Sequence, residues 1–120
     1  METPNQDVIY QDWIYKRSRH LHKWRKRWMV LTSTYLTTYK SDNMKKVTEK
    51  ITLQECFTIK TVDEDIRVAN SFRLDSTQSK FYFKAENHVN KERWIGIIGR
   101  YMVKKKVLRT HSEEEALNDI

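Results

Sequence analysis

The stretch Lys23-Trp24-Arg25-Lys26-Arg27-Trp28-Met29-Val30-Leu31 decides the reading of this chain. In a β-strand, successive side chains point to opposite faces. One face then carries Lys23, Arg25, Arg27, Met29 and Leu31, and the other carries Trp24, Lys26, Trp28 and Val30. The odd face starts cationic and ends apolar. Asp12-Trp13-Ile14-Tyr15-Lys16-Arg17, before it, makes the same change on one face, from Ile14 to Lys16. Thr34-Tyr35-Leu36-Thr37-Thr38-Tyr39-Lys40, after it, does so from Leu36 through Thr38 to Lys40. In an antiparallel meander the end of the first strand, the start of the second and the end of the third share one edge. Three faces that are apolar at one end thus turn cationic at a common mouth. Low-dielectric walls there strengthen the attraction for an anion.

Further β-type runs follow at 50–53, 56–62, 71–74 and 80–84, rich in aromatic and β-branched residues and separated by polar breaks at 41–43, 63–65 and 75–79. The spacing predicts a mainly β fold of seven short strands, an antiparallel barrel or sandwich. The acidic run Asp63-Glu64-Asp65 is read as a turn, since three consecutive acids on a strand do not face one point. The period then changes. Between His88 and Met102 the apolar residues fall at 94, 97, 98, 101 and 102, an amphipathic helix with Asn87 as N-cap. Gly96 and Gly99 lie inside it and suggest close packing on the sheet. Lys104 to Lys106 suit its C-terminal end, and Ser112-Glu113-Glu114-Glu115 opens an acidic tail. Residues 1–9 are read as an N-terminal extension, 10–105 as the domain and 106–120 as the tail.

The composition agrees with one compact domain of 120 residues, close to the usual size of about 100–150. Aromatics make up 12% of the chain, too many for a disordered polymer. Two glycines exclude a glycine-rich phosphate loop, and the single Cys56, read as a small buried residue, excludes an internal disulfide. No stretch approaches the roughly 18 apolar residues of a membrane span, and the expectation is a soluble, intracellular protein. Net charge is +7, but residues 12–50 hold eleven Lys/Arg against three acids. Such a patch attracts anionic lipid, an acidic protein or nucleic acid. Trp24 and Trp28 between cations are the generic argument for nucleobase stacking, which ranks last. His20 and His22 stand two apart without a carboxylate or cysteine at zinc spacing, and no nucleophile or acid–base pair is visible. Neither a cofactor, a metal nor enzyme activity is expected.

These motifs together resemble the pleckstrin homology (PH) domain family over roughly residues 10 to 105. The family's opening aromatic–aliphatic–lysine pattern is Trp13-Ile14-Tyr15-Lys16, its Trp-Lys-Arg-Arg-Trp-Phe-Val-Leu-like segment is 24–31, and its final helix with a single buried tryptophan is represented by Trp94-Ile95. The resemblance implies a strongly bent seven-stranded sheet capped by the C-terminal helix. It also implies an open end that binds phosphoinositide head groups through Lys16, Arg25 and Arg27, the residues the alternation selects by itself. Thr38, whose hydroxyl makes it a further phosphoinositide-binding candidate, stands where many binders of 3-phosphoinositides carry a tyrosine, and Asp12 where a glycine usually precedes the tryptophan. Lys40 and Lys46 are further phosphate-binding candidates, beside Lys45 and Lys50. The loop Ser18-Arg19-His20-Leu21-His22 lacks the family's glycines and offers Arg19 and Leu21 to a membrane. The implied function is a non-enzymatic phosphoinositide-binding recruitment module, cytoplasmic and reversibly at the membrane surface. The alternative is a protein-interaction module reading an acidic partner.

Overall fold

The computed structural model describes residues 7–102. Seven strands run as β1 Tyr10–Arg17, β2 Trp24–Leu31, β3 Tyr35–Tyr39, β4 Val47–Thr52, β5 Cys56–Thr61, β6 Ser71–Ser76 and β7 Lys80–Lys84. A single 3-10 turn, Leu53–Glu55, joins β4 to β5, and a one-turn helix α1, Asp63–Ile66, stands between β5 and β6. The final helix, α2, covers 88–102 of the described residues. All pairings are antiparallel, in the order β4-β3-β2-β1-β7-β6-β5. The sheet does not close. β4 and β5 are its two edges, joined through the 3-10 turn rather than by a ladder, so the expected bent antiparallel sheet of seven strands with its C-terminal helix is present and is open. The expected tail at 106–120 and Lys104 to Lys106 lie outside the described residues.

The alternation predicted for β1 and β2 is what the register shows. Ile14 faces Arg27 and Lys16 faces Arg25 across the ladder. Ile14, Met29, Leu31, Leu36, Ile51, Phe72, Leu74, Phe83, Trp94 and Ile98 fill one core, each at most 3% exposed. Burying a side chain of this size stabilises by about 1.5–3 kcal/mol, which fixes the register of every strand that contributes one. The helix seals one end. Trp94, Ile98 and Met102 recur at four-residue spacing and are buried, and Tyr10 packs edge-on against Trp94 with centroids 4.7 Å apart. Asn87 caps α2 as expected, its Oδ1 accepting the Asn90 N–H at 2.8 Å. The glycines do not serve close packing. A Cβ on Gly96 would meet open space, and one on Gly99 only an ordinary contact with Ile59 at 3.6 Å.

The same closed end holds a polar knot that the sequence reading took for a plain turn. Asp63 opens α1, and its Oδ1 accepts from the Thr61 hydroxyl (2.8 Å), the Ser71 N–H (3.2 Å) and the Lys91 ammonium (3.1 Å); its Oδ2 accepts the Asn70 N–H at 2.8 Å. Lys91, on α2, is only 5% exposed and also donates to Thr61 at 2.9 Å. One carboxylate thereby ties β5, the start of β6 and the capping helix. Partial burial pushes the Asp63 carboxyl up, but the hydrogen bonds from Thr61, Asn70 and Lys91, with the Lys91 charge, outweigh it and hold the group well below the usual carboxylate range.

Candidate anion-binding mouth

At the opposite, open end, β1 and β2 present Lys16, Arg25 and Arg27 from the concave face. They line a shallow depression of about 160 Å³ together with Ser18 and Thr48. Lys16 and Arg25 are direct cross-strand neighbours. Like charges at that position disfavour a ladder, a repulsion that an anion beside them relieves. Arg25 and Arg27 meet no carboxylate among the described residues; Arg27 donates only to the backbone carbonyl of Lys26, at 3.1 Å. Burial and, second, the neighbouring Arg25 charge push the Arg27 guanidinium pKa down. The group stays cationic, but it is a cation that its surroundings do not compensate.

Lys26 differs from Arg27 by one position and stands on the other face. Its ammonium lies 5.0 Å from the Trp13 ring centroid, on the outer surface. That surface alternates cations and rings: Arg17 over Tyr82, and Lys84 over both Tyr15 and Trp24. Trp28 packs edge-on against Trp13 and donates its indole N–H to Gln11 at 3.3 Å. The tryptophans flanking the basic cluster are therefore packing residues of the outer face.

β4 supplies two groups that the sequence reading missed. Its register slips between Thr38 and Tyr39, where Thr38 faces Glu49 but Tyr39 faces Val47, leaving Thr48 as the extra residue of a bulge. Thr48 lines the mouth, its hydroxyl 2.7 Å from that of Thr38 and donating to the Thr38 carbonyl at 3.1 Å. Thr38 itself is wholly buried and reaches the mouth only through Thr48. Glu49 crosses the concave face and pairs with Lys16 and Arg19, both at 3.1 Å. Lys40 and Lys46 are exposed in the β3–β4 connection, joined by the Lys40 N–H to Lys46 carbonyl bond of 2.9 Å, and do not line the depression.

The β1–β2 loop folds back on itself through the Ser18 N–H to Lys23 carbonyl bond and the His22 N–H to Ser18 carbonyl bond. His22 takes the positive φ of 55° that a glycine would adopt without strain. The loop holds Leu21 60% exposed, and at the same end the β3–β4 connection holds Met44 exposed and the start of β4 holds Val47 exposed. On the loop's other side lies a second depression of about 330 Å³, lined by Arg17, Ser18, Arg19, His22, Ser79, Lys80 and Tyr82.

Comparison with known proteins agrees with this architecture. An Arabidopsis thaliana pleckstrin homology domain-containing protein 1 is 30% identical over 106 residues, covering 84% of this chain and 73% of its own. The Rattus norvegicus interactor protein for cytohesin exchange factors 1 is 31% identical over 109 residues, which span 87% of this chain but 26% of that protein. Among solved structures, the C-terminal PH domain of pleckstrin in complex with an inositol pentakisphosphate superposes with a TM-score of 0.73 at 19% identity, covering 82% of this chain and 98% of that one. The PH domain family model matches residues 8–102, from the residues leading into β1 to the last described turn of α2, and the chain belongs to that family.

Proposed function

We propose that this chain is a non-enzymatic module that binds phosphoinositide head groups at the mouth formed by Lys16, Arg25 and Arg27, and so recruits its protein to anionic membrane. The observation that carries the reading is the uncompensated charge: a half-buried Arg27 and an adjacent Arg25, without carboxylate partners among the described residues, set directly against Lys16. Vicinal ring phosphates match such a cluster through charge-assisted hydrogen bonds. The Ser18 hydroxyl adds a neutral donor at its rim, and Thr48 lines it with its own proton held by the Thr38 carbonyl. Exposed Leu21 and Met44 flank the same end, the arrangement expected of a surface that meets lipid. The inositol pentakisphosphate held by the superposing pleckstrin domain supports the same ligand chemistry. No helix among the described residues is long and apolar enough to cross a membrane, so attachment is proposed to be peripheral.

A second reading places an acidic segment of a partner protein at this mouth. It is supported by the similarity to a protein named as an interactor of cytohesin exchange factors. Stacking of nucleobases has less support, because Trp13 and Trp24 already carry Lys26 and Lys84 over their rings.

The test is a paired titration of Arg27→Ala and Lys26→Ala with soluble inositol phosphates and with phosphoinositide liposomes. Charge-assisted hydrogen bonds contribute about 1.5–3 kcal/mol, so Arg27→Ala should weaken binding by roughly ten- to 150-fold. Lys26→Ala should change it less than about threefold, the size expected of a screened outer-face charge. Equal losses refute a directional site. Unchanged binding by both variants, or binding of acidic peptide alone, favours the partner-protein reading.

A further inference from the structure

We propose that Glu49 is a built-in competitor of the anion: its carboxylate occupies the phosphate position beside Lys16 in the free protein and sets the charge density a ligand needs to displace it. The inference rests on the proposed anion site and deepens it. Glu49 comes from β4, on the far side of the concave face from β1. It uses both oxygens, Oε1 on Lys16 of β1 and Oε2 on Arg19 of the β1–β2 loop, each at 3.1 Å. The side chains of Glu49 and Lys16 are 19% and 12% exposed, so the pair is largely withdrawn from water and only weakly screened. Lys16 and Arg19 also sit over the Phe81 ring, with centroid distances of 5.7 and 5.5 Å, which gives both cations a common apolar floor. The ion pair therefore holds the loop down onto the mouth. A phosphate reaching Lys16 has to take over this lysine and leaves the Glu49 carboxylate facing a second anion.

This arrangement discriminates by charge. A single phosphate offers Lys16 little more than Glu49 already does, and meets its repulsion. A polyphosphorylated ring gains Arg25 and Arg27 as well, which have no carboxylate to exchange. Glu49 thereby lowers affinity for every anion but rejects the weakly charged ones most.

The experiment measures inositol hexakisphosphate and inositol monophosphate binding by calorimetry for the wild-type chain, Glu49→Gln, Glu49→Asp and Asp42→Asn, with Arg27→Ala introduced into the wild-type and Glu49→Gln backgrounds. Removing one unit charge several ångströms from the ligand in a partly screened site should tighten hexakisphosphate binding about tenfold in Glu49→Gln. It should also bring monophosphate binding into the measurable range. Glu49→Asp keeps the charge and should stay within about threefold of wild type. Asp42→Asn removes the same charge from the exposed β3–β4 connection and should change affinity less than about twofold. Unchanged or weaker binding by Glu49→Gln, while Arg27→Ala still weakens binding by about tenfold or more, overturns the competitor role and leaves the site standing. An equal gain from Asp42→Asn also overturns it, as an effect of net charge. Binding insensitive to Arg27→Ala in both backgrounds overturns the site itself.

Discussion

Asp63→Ala should be among the most damaging substitutions outside the apolar core, and Lys91→Met should partly reverse it. Removing the carboxylate leaves the Lys91 ammonium 5% exposed with only Thr61 within 3.0 Å and Glu92 at 3.7 Å. It also strips an acceptor from the Asn70 and Ser71 N–H groups. Breaking one partner of a buried pair costs about 3–5 kcal/mol. The Asp63 side chain is 32% exposed, so water can enter the vacated place, and the low end, about 3 kcal/mol, applies. For a domain of this size that lowers Tm by roughly 10–20 °C. Lys91→Met alone keeps the aliphatic stem and leaves Asp63 three other donors, so it should cost no more than about 1 kcal/mol. The double variant should be more stable than Asp63→Ala, because the stranded charge has gone. The pH dependence has a definite sign. A carboxyl held below its unfolded value of about 3.9 contributes stability that is present above about pH 4 and lost as pH falls below it. The gap in urea-unfolding free energy between wild type and Asp63→Ala should therefore be constant near neutrality and narrow in acid. Additive losses in the double variant, or a gap that widens in acid, would refute the assignment of Asp63 as the knot of this end.

Three more outcomes are expected. Trp94→Ala should cost about 3–5 kcal/mol by urea unfolding, whereas Trp94→Phe should cost clearly less, because the buried indole N–H meets no acceptor among the described residues and its loss strands nothing. Gly96→Ala should stabilise by about 0.5–1 kcal/mol in the same assay, since the added methyl enters open space and the helix gains a better former. Leu21→Ser and Met44→Ser should each weaken liposome sedimentation several-fold while leaving the affinity for soluble inositol phosphate unchanged, as both side chains lie exposed on the loops and outside the depression.

The basic face of β2 was legible because alternation survives in sequence wherever a strand is long and its neighbours pair in simple register. Alternation puts Lys16, Arg25 and Arg27 on one face, and in the structure the three line one depression. The same reasoning put Lys40 on that face and did not see that β3 ends at Tyr39, where the chain turns and the Lys40 N–H is spent on Lys46. Glu49 and Thr48 escaped because the first four residues of β4, Val47 to Lys50, are mostly polar and exposed and carry no apolar stripe. Its orientation depends on a bulge, and one extra residue reverses every later side chain. Asp63 escaped for another reason: its partners come from Thr61, Asn70, Ser71 and Lys91, separated by up to 28 residues, and no local spacing encodes them. Whether seven strands close into a barrel is likewise a question about the two edge strands, which no single strand's pattern answers.

The two ends of the sheet treat charge in opposite ways, and the contrast supports the assignment of roles. At the closed end the buried Lys91 has a carboxylate and a hydroxyl within hydrogen-bond distance, and away from the mouth Arg73 of β6 holds Asp75 through two bonds of 2.7 and 3.0 Å. These cations are compensated inside the fold and need nothing from outside. At the open end Lys16 and Arg25 are forced opposite one another, Arg27 is drawn from water without a counter-ion, and the acid that does arrive, Glu49, serves Lys16 and Arg19 but not the two β2 arginines. Structural need does not explain this, since apolar or neutral residues at 25 and 27 would pair equally well in the ladder and remove the repulsion. Two guanidinium groups without a carboxylate among the described residues, at the end where the strands turn cationic, are what the proposed anion site needs.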